Sequence, residues 1–144
     1  PLNKSFTPSE AEYHYFIRQF VERITAVSLD PVLMQKQWKA AYAFVAGKGV
    51  AELNAWAKQS DPFTQIGRIT KTTAVSDIVN LSDNSFQVRW VTTSYDQQGR
   101  ITETKPQAGI FTVKIMTPES KEAIFNNPLG IRIVDFRLET IGDK

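Results

Sequence analysis

Acids and tyrosines carried by strands of a curved sheet can meet at the floor of a cone and shuttle protons, and this chain has residues of those types. Asp77 and Asp135 fall in strand-like segments, and Tyr42 and Tyr95 could turn inward toward them. Such a set would serve a small-molecule binder or an isomerase-like enzyme, provided an open, partly apolar cavity brings the four together. Their spacing alone does not make them converge. The other routes to chemistry are nearly closed. Zero Cys excludes thiolate metal sites, disulfides and cysteine nucleophiles, and a single His, His14, leaves no histidine pair for a metal or a triad. His14 sits one position off an apolar helical stripe and reads as a boundary surface residue. Gly47-Lys48-Gly49 lacks the strand before it and the Ser or Thr after it that a phosphate loop needs, so it reads as a turn between helices. Neither a cofactor nor a metal is expected.

Charge argues against nucleic acid as a partner. Seven basic and five acidic residues precede Ser60, and ten of each follow from there, so no part of the chain is a polycation despite a pI near 9.0. Trp38, Trp56 and Trp90 could be imagined as a stacking platform for bases, but each lies in register with an apolar stripe and is expected in the core. No apolar stretch approaches the roughly 20 residues of a membrane-crossing helix.

The elements that must position these residues divide into helices first and strands second. Thr7-Pro8-Ser9-Glu10 has the pattern of a capping box with Thr7 as the cap, and Tyr13, Phe16, Ile17, Phe20, Val21, Ile24 and Val27 then recur at helical spacing. Asp30-Pro31 opens a second helix running to about Ala46, and a third carries Val50, Leu53, Trp56 and Ala57 until Asp61-Pro62 stops it. From there the period becomes two. Strands are expected over Thr70 to Leu81, Phe86 to Tyr95, Ile101 to Met116 with an interruption near Lys105-Pro106, and Ile131 to Thr140, with Thr117-Pro118-Glu119-Ser120 opening a single helical turn. The chain thus reads as one domain over residues 1–144, with a flexible start at about 1–6, helices over about 8–60 and sheet over about 66–140. The fold class is α+β: a curved antiparallel sheet of about four strands with three N-terminal helices packed on one face. The helical apolar side chains are expected to fill the concave side of that sheet, leaving the exterior for encounters.

Asn127-Pro128-Leu129-Gly130 is unusually constrained for a loop. Asn127 is held extended before proline, Pro128 fixes its own φ, and Gly130 permits a positive φ. It reads as a rigid turn before the last strand and also as a preformed loop presenting Leu129 to a partner, two readings that are compatible. Arg18 and Glu22, on the polar side of the first helix, are further candidate interface residues, as is the sheet face turned away from the helices.

Taken in order, Asp30-Pro31, Trp38-Lys39-Ala40-Ala41-Tyr42, Asp61-Pro62-Phe63, Trp90 with Thr92-Thr93-Ser94-Tyr95-Asp96 and Gly99, then Asn127-Pro128-Leu129-Gly130-Ile131 with Asp135-Phe136, resemble the TrbF-type conjugal transfer proteins. These are relatives of the eighth component of the VirB type IV secretion machinery. The resemblance runs from about Thr7 to Leu138. It implies a nuclear-transport-factor-like cone, a periplasmic location behind a single inner-membrane span that is missing from this chain, and a role in assembly rather than catalysis. The implied partners are further copies of the chain, in a weak homo-oligomer, and other type IV secretion subunits. The motif positions Asn127, Pro128 and Gly130 would serve protein contacts or hold the fold for them. A chain starting at Pro1 would then be an excised piece.

Overall fold

The computed structural model describes residues 7–140; the expected flexible start lies outside them. Helix α1 (Glu10–Thr25) begins two residues later than the Thr7 box predicts. A second box nested in the same stretch takes over: the Ser9 hydroxyl accepts from the amide of Glu12, and the Glu12 carboxylate accepts from the amide of Ser9 at 2.8 Å. That choice places Glu10 and Glu12 in the first turn, against the positive end of the helix. Asp30 caps α2 (Pro31–Tyr42), which stops four residues short of Ala46. The released segment is needed elsewhere: Phe44 and Val45 run beside the last strand, with Ile133 N donating to Phe44 O at 2.7 Å and Ala46 N donating to Ile133 O at 3.0 Å. Helix α3 (Lys48–Ser60) opens at Gly47, so Gly49 lies inside it. There a Cβ would overlap the carbonyl oxygen of Ile133, and glycine is what lets α3 approach the sheet this closely.

Strands β1 (Thr70–Asn80), β2 (Ser85–Tyr95), β3 (Ile101–Ile115) and β4 (Ile131–Thr140) form an antiparallel sheet in sequence order. A short 3-10 turn (Pro62–Gln65) precedes β1, and helix α4 (Lys121–Asn126), capped by Ser120, stands between β3 and β4. The expected interruption of β3 is absent. Pro106 pairs with Val91 on one side, while β4 joins β3 only from Gln107 onward, so among the described residues no β4 carbonyl faces the missing N–H. The helical turn that 117–120 is expected to open does follow, with Ser120, the last of those residues, as its cap.

Alternation along β2 sends Phe86, Val88 and Trp90 to the helices, then Thr92 and Ser94 along the same face. The first three join Phe20, Phe111 and Phe136 in the core. Phe111 stacks on Phe136 at 5.8 Å between centroids and meets Phe20 edge-on at 6.2 Å. Trp38 and Trp90 are buried as expected, whereas Trp56 is only half-buried.

Candidate functional site

Two concave regions of the surface stand out, an apolar groove and a polar cavity. The first is the 126–130 turn. Asn127 is 4% exposed, and its Nδ2 donates to Ala43 O at 3.1 Å and Ile131 O at 2.8 Å, tying the end of α2 to the start of β4. Gly130 has φ +71, and a Cβ there would overlap the carbonyl oxygen of Met116, whose own amide donates to Gly130 O at 2.7 Å. Asn127 and Gly130 therefore act inward, as turn-formers. Pro128 stays exposed and Leu129 half-buried, and both form one wall of an apolar groove of about 300 Å³. The opposite wall is α1, through Ala11, Tyr15, Phe16 and Gln19. Beside the groove, one residue before its wall at Asn126, Phe125 stands 86% exposed, with Ile124 at 52% and Tyr15 at 56%. Arg18 and Glu22 are exposed and continue the ridge that starts at Ala11 and Tyr15, as the spacing 11, 15, 18, 22 requires. The Arg18 guanidinium lies 5.8 Å from the Tyr15 ring centre.

The second region is the open end of the cone, beyond Trp90. Here Lys71, Thr92, Ser94, Glu103, Lys105 and Gln107 line a cavity of about 280 Å³, closed on the helical side by Ile24, Val27, Trp56 and Pro62. The concave side of the sheet is thus filled at one end only, which corrects the expectation that helical apolar groups fill all of it. Their supply runs out there: past Ile24 the chain leaves α1 and pairs with β1, Val27 exchanging backbone hydrogen bonds with Lys71 at 3.1 and 3.0 Å. Burial pushes the Lys71 ammonium below its ordinary pKa, with Glu103 acting the other way.

The acids and tyrosines expected to meet at a cone floor are dispersed. Asp77 is exposed on β1 opposite Arg89, Tyr42 donates to Asn54 Oδ1 on α3, and Tyr95 lies at the far end of β2. Asp135 sits on β4 beside Glu52, with Lys48 Nζ at 3.9 Å. Glu52 Oε1 accepts from the amide of Phe136 at 2.6 Å, and burial together with Asp135 raises the Glu52 pKa. His14 Nε2 lies 2.8 Å from Asn80 Oδ1 and 3.8 Å from Glu10, at the boundary of the fold. Among the described residues no group of three His, Asp or Glu side chains could hold a metal, and no helix is long and apolar enough to cross a membrane.

Sequence reasoning missed Phe125, Lys71 and Lys105. The lysines had a signal: two-residue alternation puts Lys71 and Thr73 on one face of β1, and Lys105 and Gln107 on the matching face of β3. Phe125 had none, because its exposure depends on α4 being a helix.

The VirB8 protein family model matches residues 2–140. Conjugal transfer protein TrbF of Rhizobium radiobacter is 31% identical over 119 residues, which cover 81% of this chain and 54% of that protein. The chain therefore spans about half the length of this curated relative. Among solved structures, the soluble domain of TrwG type IV secretion machinery from Bartonella grahamii aligns with a TM-score of 0.80 at 18% identity, over 93% of this chain and 96% of that one. The Agrobacterium tumefaciens VirB8 protein aligns with a TM-score of 0.79 at 9% identity, over 97% and 99%. At such identities the two structures speak for the fold, a nuclear-transport-factor-like cone, while the family model and the TrbF relative carry the assignment: the chain belongs to the VirB8 family of type IV secretion and conjugal transfer components.

Proposed function

We propose that this domain is a noncatalytic scaffold of a type IV secretion inner-membrane complex, held in the periplasm by a single membrane span outside this chain. It associates weakly with a second copy of itself and contacts other channel subunits. The observation that carries the reading is an apolar groove whose wall begins at Asn126, with the exposed Phe125 projecting from the residue before it. A groove and a knob side by side are self-complementary, because a two-fold rotation brings each knob to the other copy's groove. Arg18 and Glu22 on the adjoining ridge add matching charges, each able to face the other across the same axis.

Such a contact is small, and its strength is expected to be micromolar or poorer, about 8 kcal/mol or less. Anchoring many copies in one membrane raises their effective concentration, so a contact that is weak in solution becomes saturated in the assembled machine. Weakness has a use here, since a scaffold that forms and remodels must not be trapped by its first encounter.

A chain with no cysteine is suited to the test. Phe125→Cys and Ala11→Cys are carried by two differently tagged copies of the full-length protein, made together in cells producing the secretion system, with Asp77→Cys in place of Ala11→Cys as the control. Mild oxidation is expected to join the Phe125→Cys copy to the Ala11→Cys copy, where a docked knob meets the groove, and not to the Asp77→Cys copy. Equal cross-linking to both partners, or to the Asp77→Cys copy alone, would contradict the assignment.

A further inference from the structure

The open end of the cone carries a charge imbalance that the assembly role does not use. Lys71 lies opposite Ser94 and Ser94 opposite Glu103, while Lys105 lies opposite Thr92, so both ammonium groups rise from one polar wall. Among the described residues, no carboxylate oxygen comes within 4.0 Å of either ammonium. Gln107 completes the wall as a donor. Its Oε1 is occupied at 3.0 Å by both Trp90 Nε1 and Thr92 Oγ1, which leaves the Nε2 protons available. Ser94, 5% exposed, adds a hydroxyl. The facing wall is mixed, with Ile24, Trp56 and Pro62 among its apolar members and Gln59, Ser60 and Gln65 among its polar ones. Trp56 presents its ring there, its own Nε1 being satisfied by Ile24 O at 2.8 Å.

Two ammonium groups against one carboxylate leave the cavity with one net positive charge, and partial burial makes that charge costly without a counter-ion. We propose that this end of the cone binds a small organic monocarboxylate, its carboxylate between Lys71 and Lys105 and its apolar body against Trp56. Charge-assisted hydrogen bonds from two ammonium groups favour the carboxylate. Glu103 disfavours a second negative charge on the ligand, which selects against dicarboxylates and phosphate. The cavity of about 280 Å³ is at the small end for ligand sites and suits one ring or a short chain. This proposal is independent of the groove at 126–130, which lies at the other end of the molecule.

Benzoate is the probe, and its uncharged isostere benzamide is the control. Titrations of the domain are followed by amide and indole NMR shifts. Saturable benzoate shifts are expected at Lys71, Ser94 and the Trp56 indole, with benzamide weaker by about tenfold or more, the loss of one charge-assisted interaction. Lys71→Met and Lys105→Met are each expected to weaken benzoate by about tenfold while leaving thermal melting unchanged. Shifts that stay linear, benzamide binding as tightly as benzoate, or variants that bind like the parent would overturn the proposal. If a variant fails to fold, the comparison of the two probes on the parent protein still decides. A capped peptide bearing one glutamate is a second arm, and tighter binding of it than of benzoate would assign the carboxylate to a protein and reject a small acid.

Discussion

The two ends of the cone use the same sheet in opposite ways. From Phe86 to Trp90 the inner face is apolar, and Phe20, Phe111 and Phe136 fill it; from Thr92 to Ser94 it is polar, and a cavity of about 280 Å³ remains. One strand, β2, supplies both. The difference shows that the strand alternation sets only which side chains face inward, while the helices decide whether that side is filled. Where α1 lies across the strands the space closes, and where α1 has ended it stays open.

That contrast can be broken most forcefully at the filled end. Phe111→Ala is expected to cost about 3 to 5 kcal/mol, as large truncations in tight cores do, whereas Ser94→Ala at the open end should cost under about 1 kcal/mol. Urea unfolding of the two variants checks this, and similar losses would mean that the ends do not differ in packing. Next come the turn residues. Gly130→Val is expected to destabilise by about 1 to 3 kcal/mol, because a side chain must adopt a positive φ and displace the Met116 carbonyl. Asn127→Ala should cost a similar amount, about 1 to 3 kcal/mol, by removing the side-chain donor shared by the buried Ile131 carbonyl and the half-buried Ala43 carbonyl. Normal melting of both variants would show that the turn does not determine how β4 begins.

A smaller effect is expected at Glu52, and its sign follows from its raised pKa. A carboxyl group with a folded pKa above its unfolded value contributes stability that is present below about 4.5, its ordinary value, and lost as pH rises through the folded pKa. Glu52→Gln stays neutral throughout and can keep an oxygen facing the Phe136 amide. It should therefore match the parent near pH 4 and exceed it at pH 7. Thermal melting across that range is the measurement, and a variant less stable at pH 7 would contradict the burial argument. Smallest of all is Lys48→Met, since its pairing with Asp135 is at 3.9 Å with the lysine side chain 70% exposed; a change within about 0.5 kcal/mol is expected by calorimetry.

The elements were legible in the sequence where local chemistry decides them. Asp30-Pro31 fixed the start of α2, alternation fixed the four strands, and Asn127-Pro128-Leu129-Gly130 marked the rigid turn. What stayed illegible depends on neighbours. Two overlapping capping boxes compete before α1, and nothing local chooses Ser9 over Thr7. Helix α2 yields at Tyr42 because Phe44 and Ala46 gain a backbone partner in β4, Ile133, nearly ninety residues on. Pro106 is tolerated because, among the described residues, β4 pairs with β3 only from Gln107 onward. The proposed interaction face was half visible: Arg18, Glu22 and the 127–130 turn could be offered as candidates from spacing, whereas the groove exists only once α1 and the turn meet in space.

Self-association through that face is the claim on which the functional account rests. Sedimentation velocity over a wide concentration range, on the parent domain and on Phe125→Asp, tests it most directly. The account predicts a reversible monomer–dimer equilibrium for the parent, with a dissociation constant in the micromolar range or weaker, and a variant that stays monomeric while melting like the parent. A parent that remains monomeric at the highest concentrations, forms a tight oligomer independent of dilution, or dimerises equally well with aspartate at position 125 would contradict it.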